Sequence, residues 1–520
     1  MTAPEERADE LLEQLGYASW RAGQKDAVIA AMSGRDSLIV MPTGGGKSLC
    51  YQLPGLASPD LTIVVSPLIA LMRDQWERLM ARGQPVAMVS SGMSGEEIRE
   101  ALADVSGDAR IVFCAPERFW SEEFLDALAF RRIDLIAVDE AHCVSEWGHD
   151  FRPDYLRLPR IARELGRPTI MACTATATTE VAAEIAERFE MDDPLQVRAG
   201  FDRRNLTFDV IAVEGRYAKA RRQEILEAGV GDPENRPAIV YCGTRKDTEG
   251  VAVKLRQAGL KALAYHAGME TQDRTTAQDL FMGGPADIIV ATNAFGMGVD
   301  KPDVRTVWHM AIPSSVEAYY QEAGRAGRDG KPSRAILLAV ESDLTRLRRF
   351  NQEREGNPAL AVAYERGWLA YDEIKSFVYS ERCRRRTLLD HFSDRAAGAP
   401  LNRCCDVCDP QTWPEDVPST IGRKRRHKKD WRYYAERRRA AQRRSGDDPL
   451  LNALMSWRHL AAGKRPSSMV ATNRVLKAIA AAKPADEEAL LEVEGVGEVF
   501  VERYAEPVLM LIEQDSWEDP

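Results

Sequence analysis

No stretch of this 520-residue chain approaches the roughly 18 consecutive apolar residues that a membrane span requires. Its opening, MTAPEERADELLEQLGY, lacks the basic-then-apolar layout of a secretory leader. A cytoplasmic location without a membrane partner is therefore expected. The chain also lacks net positive charge, standing at −10, which on average disfavours a nucleic-acid partner. Binding depends on local fields rather than on the average. Between Arg423 and Arg444 lie about a dozen Lys and Arg against Asp430 and Glu436, whereas the segment after Lys483 is acidic. Cysteine is sparse, with nine residues unevenly placed. Cys50, Cys114, Cys143, Cys173 and Cys242 sit in apolar, strand-like contexts and read as small core residues in a reducing compartment. Cys383, Cys404, Cys405 and Cys408 gather late and read as a candidate metal site.

An apolar fraction of 44% with 7% aromatics fits a soluble globular protein, and the length exceeds what one hydrophobic core supports. Short apolar runs at Leu38 to Met41, Thr62 to Ser66, Ile111 to Ala115, Leu135 to Val138 and Thr169 to Cys173 alternate with amphipathic helical stretches. Buried parallel strands in a doubly wound α/β domain have this pattern. A second set follows at Ala238 to Cys242, Ala262 to Tyr265, Ile288 to Ala291, Thr306 to Met310 and Ala335 to Val340. Two α/β domains in tandem are implied. From Glu341 to about Asp394 the pattern turns helical, and a second helical stretch begins near Asp447.

The first chemical motif, Met41-Pro-Thr43-Gly44-Gly45-Gly46-Lys47-Ser48, directly follows a strand. Its glycines let successive N–H groups turn toward a phosphate, Lys47 adds charge on the β and γ phosphates, and Ser48 can ligate Mg²⁺. Met41 replaces the usual first glycine. The second motif, Asp139-Glu140-Ala141-His142, ends the run Leu135 to Val138. Ligands of open parallel sheets sit at strand carboxyl ends, so Asp139 is placed to hold Mg²⁺ and Glu140 to polarise the attacking water.

Together these motifs resemble superfamily 2 helicases, and further segments resemble the RecQ family. Leu15 to Gln24 is similar to its adenine-recognition segment, which implies base pairing by Gln24 and packing by Tyr17 and Arg21. Ala141 to Tyr155 is very similar to the family's aromatic-rich loop, with Glu146 where glutamine is usual. Trp147, His149, Phe151 and Arg152 are the DNA-contacting candidates there: aromatic faces stack bases and the cation meets phosphate. Ser66 to Gln75 and Ala115 to Arg118 resemble strand-end motifs that grip the DNA backbone. Thr174-Ala-Thr176 resembles the element coupling hydrolysis to movement. In the second domain, Ala291 to Val304 and Gln321 to Gly330 are similar to the last two helicase motifs. If the domains close on ATP, Arg328 acts as the principal arginine finger, with Arg325 beside it and Gln321 positioning.

Beyond that core, Cys383 to Phe392 and Cys404-Cys405-Asp-Val-Cys408 resemble the RecQ zinc module. The family spaces its second and third cysteines by two or three residues, whereas Cys404 and Cys405 are adjacent. One of them is then a candidate bystander, with His391 or Asn402 as substitute ligands, and Cys405 with Cys408 forms the C-x-x-C pair. Only about forty residues follow before the final helical stretch, too few for the family's winged-helix domain. The basic run there reads equally as a nonspecific phosphate binder or a solvated linker. The tail resembles the helical domain shared by RecQ enzymes and ribonuclease D, and its Gly495–Gly497 turn reads as a phosphate contact, a helix cap or a protein contact.

The expected organisation is two RecA-like doubly wound domains at 1–205 and 206–345, a helical zinc-binding module at 346–412, a basic linker at 413–446 and a small all-α domain at 447–520. The resemblance implies an ATP-, Mg²⁺- and Zn²⁺-dependent DNA helicase of 3′ to 5′ polarity acting in recombination and repair. Single-stranded and duplex DNA are its expected partners, with single-stranded-DNA-binding or repair proteins as further candidates. A DNA-stimulated ATPase switch or scaffold, and an RNA helicase, are the competing readings.

Overall fold

The computed structural model describes residues 4–42, 44–145, 152–296, 301–354, 361–395, 398–411, 417, 449–462 and 470–515. They belong to two compact units, Met1–Ile421 and Gly422–Pro520.

The first unit holds two all-parallel sheets, most of whose strands are short apolar runs. The first contains β1 (Ser37–Val40), β2 (Leu61–Val65), β3 (Val86–Val89), β4 (Ile111–Cys114), β5 (Ile133–Val138), β6 (Thr169–Thr174) and β7 (Leu195–Arg198), in the order β3-β4-β2-β5-β6-β1-β7. Side chains alternate between faces with period two. Leu38, Val40, Ile63 and Val65 enter one core, and Ile39, Val64, Ile111 and Phe113 enter the other. Burial on both faces explains why these strands are continuously apolar rather than alternating. The second sheet contains β8 (Leu206–Ala212), β9 (Ala238–Tyr241), β10 (Ala262–Tyr265), β11 (Ile288–Ala291), β12 (Thr306–His309) and β13 (Ser333–Ala339), in the order β10-β11-β9-β12-β13-β8. The ten expected strands are present. β3, β7 and β8 are additional, and all three lie at sheet edges.

A helical module follows, with helices at Glu341–Gln352, Ala361–Tyr379 and Arg384–His391. Its last helix is riveted to the second domain. Arg384 forks onto Asp406 at 3.0 and 2.9 Å, and Arg385 bonds the Asp202 carboxylate and the Leu206 carbonyl. Phe392, fully buried, stacks on Phe201 with centroids 4.4 Å apart and leans on Tyr320 at 4.9 Å.

The second unit packs helices Pro449–Ala462, Asn473–Ala482, Glu487–Leu491 and Glu498–Asp515 around Leu454, Leu476, Ile479, Leu490 and Val508. At Gly495, φ is 90° and a Cβ would stand 2.8 Å from Val475 Cγ2, so this glycine serves a tight turn packed on the neighbouring helix.

Phe392→Ala opens a cavity where three aromatic rings meet and should cost about 3–5 kcal/mol. A depressed melting temperature for the Ala variant, with a smaller drop for Phe392→Leu, is the expected outcome; an unchanged melt would show that the module docks without this ring.

Candidate functional site

β1 ends at Val40, and the chain turns back into the helix Lys47–Ala57 through Gly44 and Gly46, whose φ angles of 80° and 85° are left-handed. A side chain at either position would be strained, and this curl aims the helix's first N–H groups at one point. Lys47 Nζ donates to the Met41 carbonyl at 3.1 Å, which folds its ammonium over the loop. The Met41 side chain is fully buried in the core. That packing accounts for methionine in place of the usual glycine. Thr43 lies outside the described residues.

The carboxylates follow β5. Asp139 is 3% exposed, its N–H donates to the Val65 carbonyl at 2.8 Å, and its carboxylate accepts from the Glu140 N–H at 3.0 Å. Burial, reinforced by the like charge of Glu140 and opposed by Lys47, pushes the Asp139 carboxyl up to about 7. Glu140 sits at φ 50° with Oε2 buried and without a hydrogen bond, 3.3 Å from His142 Nδ1. The same His142 nitrogen lies 2.9 Å from Thr174 Oγ1, which accepts the Thr176 N–H at 3.2 Å. Glu140, His142 and the Thr174-Ala-Thr176 element thus form one chain of contacts. Neither His142 nor Tyr155 was singled out from sequence, yet Tyr155 donates its hydroxyl to the Asp139 carbonyl at 3.0 Å. Their signal lay in the aromatic-rich run itself, where the eye goes to Trp147 and Phe151.

The second domain supplies the opposite charge. Gln321 lies on the helix Val316–Ala323, and Arg325 and Arg328 follow it directly. Arg325 is 5% exposed, with its guanidinium against Gly296. The Arg328 stem lies over the phosphate loop, its Cγ 3.6 Å from where a Cβ on Gly44 would stand. Lys47, Ser48, Asp139, Glu140, Gln321, Arg325 and Arg328 all line one cavity of about 400 Å³.

Tyr17, Arg21 and Gln24 line the same cavity. Gln24 Oε1 accepts the Arg21 N–H at 2.7 Å, its Nε2 donates to the Gly46 carbonyl at 3.0 Å, and Arg21 bonds the Gly44 carbonyl. These groups brace the phosphate loop, so base recognition by Gln24 requires exchanging its Gly46 partner. Trp147, His149 and Phe151 lie outside the described residues. Arg152 lies within them, its N–H bonded to the Cys143 carbonyl at 3.1 Å.

The four late cysteines converge, their Sγ atoms all within 4.8 Å of one another. Cys383 Sγ stands 3.5 Å from Cys404 Sγ and 4.0 Å from Cys405 Sγ. A tetrahedron of about 2.3 Å zinc–sulfur bonds has edges near 3.8 Å, so the donor set fits zinc. Cys405 Sγ also accepts the Cys408 N–H at 3.4 Å, which turns the chain so that neighbouring thiols share a side. His391 instead meets Glu317 at 2.8 Å.

Paired parallel-sheet domains that close a phosphate loop, two carboxylates and two arginines around one cavity define the helicase-type nucleotide hydrolases. Comparison with known proteins agrees. Residues 21–185 match the DEAD/DEAH box helicase family, residues 221–330 the helicase conserved C-terminal domain and residues 447–512 the HRDC domain. The ATP-dependent DNA helicase RecQ of Bacillus subtilis is 37% identical over 407 residues, 78% of this chain and 67% of that protein. RecQ of Haemophilus influenzae is 38% identical over 394 residues, 76% of this chain and 62% of that protein. The chain belongs to the RecQ family. It spans 62% of the length of the Haemophilus influenzae and Pasteurella multocida relatives. A DNA-bound structure of the DUF1998 helicase MrfA shares the fold at a TM-score of 0.54 and 21% identity, over 70% of this chain and 57% of that one. Among the described residues, no helix is long and apolar enough to cross a membrane.

A carboxyl titrating at about 7 in the fold but near 3.8 unfolded destabilises the protein progressively between those values and fully above them. Asp139→Asn removes that penalty. In magnesium-free buffer its melting temperature should exceed that of the wild type at about pH 8 and match it near pH 4. An equal offset at both pH values would show that Asp139 is not held protonated by its surroundings.

Proposed function

We propose that the chain is an ATP-dependent DNA helicase that translocates 3′ to 5′ on single-stranded DNA and unwinds duplex or branched DNA in recombination and repair. The observation that carries this reading is the cavity that joins Lys47, Asp139 and Glu140 of one domain to Gln321, Arg325 and Arg328 of the next. Membership of a family whose relatives are named ATP-dependent DNA helicases supports DNA as the substrate.

In this reading Lys47 and the loop N–H groups of Thr43, Gly44, Gly45 and Gly46 bind the phosphates, and Ser48 and Asp139 hold Mg²⁺, which neutralises phosphate charge. Glu140 orients the attacking water. Its buried, unbonded Oε2 is the acceptor that role needs. Arg328, already against the phosphate loop, and Arg325 neutralise charge on the γ-phosphoryl group, and Gln321 positions them. Tyr17, Arg21 and Gln24 take the base. Trp147, His149, Phe151 and Arg152 contact DNA, and Arg152 is bonded into the turn that carries the carboxylates. The domain limits set out from sequence, the cytoplasmic location and the single-stranded-DNA-binding or repair partners belong to the same proposal.

Lys47→Ala and Glu140→Gln should each abolish hydrolysis, with Glu140→Gln still binding nucleotide. On tailed duplexes with ATP and Mg²⁺, the wild type should unwind the 3′-tailed substrate and spare the 5′-tailed one. DNA-stimulated hydrolysis without unwinding of either would favour the switch or scaffold, and stronger stimulation by RNA the RNA helicase.

Cys383, Cys404, Cys405 and Cys408 together hold one zinc ion, which ties the helix beginning at Arg384 to the cysteine loop. Because all four thiols converge, Cys404→Ser and Cys405→Ser should each strip zinc from the purified protein. Full zinc content in either variant would identify that cysteine as a bystander.

A further inference from the structure

Two short 3₁₀ turns meet at the rim of the first sheet. Pro116–Trp120 begins just past the carboxyl end of β4, and Pro153–Arg157 overlaps the end of the aromatic-rich run. Because β1, β2, β4 and β5 all run parallel, that rim is the edge that also carries the phosphate loop and the carboxylates. Trp120 is 60% exposed there, an unusual cost for the largest side chain. The Arg157 guanidinium lies 3.7 Å from the centre of its ring, in face-on cation–π contact. Among the described residues, no carboxylate pairs with Arg157. Two residues before Trp120, the Arg118 guanidinium is half-buried with its Nε unbonded.

An aromatic plate backed by an unneutralised cation suits a ligand that offers a flat π face next to negative charge. A nucleotide within a strand has both. We propose that Trp120 is a stacking platform for one base of single-stranded DNA, with Arg157 steadying the ring from behind and meeting the adjoining phosphate. This rests on the helicase reading and adds a contact to its strand path. The platform is also wired to the chemistry. Tyr155, in the same turn as Arg157, donates to the carbonyl of Asp139, so a strand pressing on Trp120 and Arg157 bears on the residue that begins the carboxylate motif.

The test uses the full chain and two fluorescent probes of equal length, an oligothymidylate of about 12 nucleotides and the same backbone with abasic sites throughout. The wild type should prefer the base-bearing strand. Trp120→Ala should weaken binding to it about 5- to 50-fold while leaving the abasic strand within about twofold, and Trp120→Phe, which keeps a flat face, should retain most of the preference. Arg157→Ala should weaken both probes, because it removes a phosphate contact as well as the ring's support. Wild-type affinity in Trp120→Ala, or an equal loss on both probes, overturns the platform. A wild type that binds neither probe overturns the helicase reading along with it.

Discussion

Two adjacent carboxylates at the end of a buried strand are costly to hold together. Asp139 is desolvated, and Glu140 adds a like charge at its shoulder. The first domain sets Lys47 against them, while two of the arginines that line the cavity, Arg325 and Arg328, come from the other sheet. Much of the architecture follows from that division. The phosphate loop and carboxylates sit at the carboxyl ends of β1 and β5, one strand apart in the sheet, because only there do a helix N-terminus and a strand end share a point. Arg325 and Arg328 sit immediately after a helix of the second domain, so the site is divided between the two sheets.

The cysteine module answers a separate constraint. β8 is an edge strand of the second sheet, and its outer side would otherwise present unpaired backbone groups. The loop carrying the thiols covers it: Phe208 N donates to the Cys404 carbonyl at 3.3 Å, Thr207 Oγ1 to the Arg403 carbonyl at 2.7 Å and Val210 N to Asp406 at 3.2 Å. Asp209, buried beneath, is held by Arg334 and Arg403. The adjacency of Cys404 and Cys405 is intelligible in this setting. Both lie on a segment pinned to the sheet edge, and the turn that follows brings Cys408 back to them.

Sequence patterns carried the strands that are buried on both faces, because continuous apolar runs leave no other placement in a parallel sheet. β7 and β8 lack that signature, whereas β3, the fully buried Val86–Val89, has it and was passed over. β7 has only Val197 well buried among its four residues, and β8 alternates with polar groups such as Thr207 and Asp209, whose partners come from the cysteine loop and, for Asp209, also from Arg334 of β13. The phosphate loop, the carboxylates and the arginines were legible because their chemistry demands particular residue types at strand ends. The bracing of the loop by Gln24 and Arg21 was not, since side-chain bonds to carbonyls leave no pattern in one sequence. Nor was the convergence of the adjacent Cys404 and Cys405 with Cys383 and Cys408, which depends on the turn that follows them.

A continuous path of hydrogen bonds joins the end of the aromatic-rich run to the carboxylates. Arg152 N bonds the Cys143 carbonyl and Tyr155 N the Arg152 carbonyl, which anchors both ends of the turn that closes the aromatic-rich run. Tyr155, fully buried, then reaches the Asp139 carbonyl, while Cys143 follows His142, the residue between Glu140 and Thr174. Moving this turn therefore displaces main chain at both carboxylates through hydrogen bonds already made in a dry interior, where breaking one without a substitute costs about 1–3 kcal/mol. That cost is what makes the connection stiff: the cheaper response to a load on the turn is for the carboxylates to move with it.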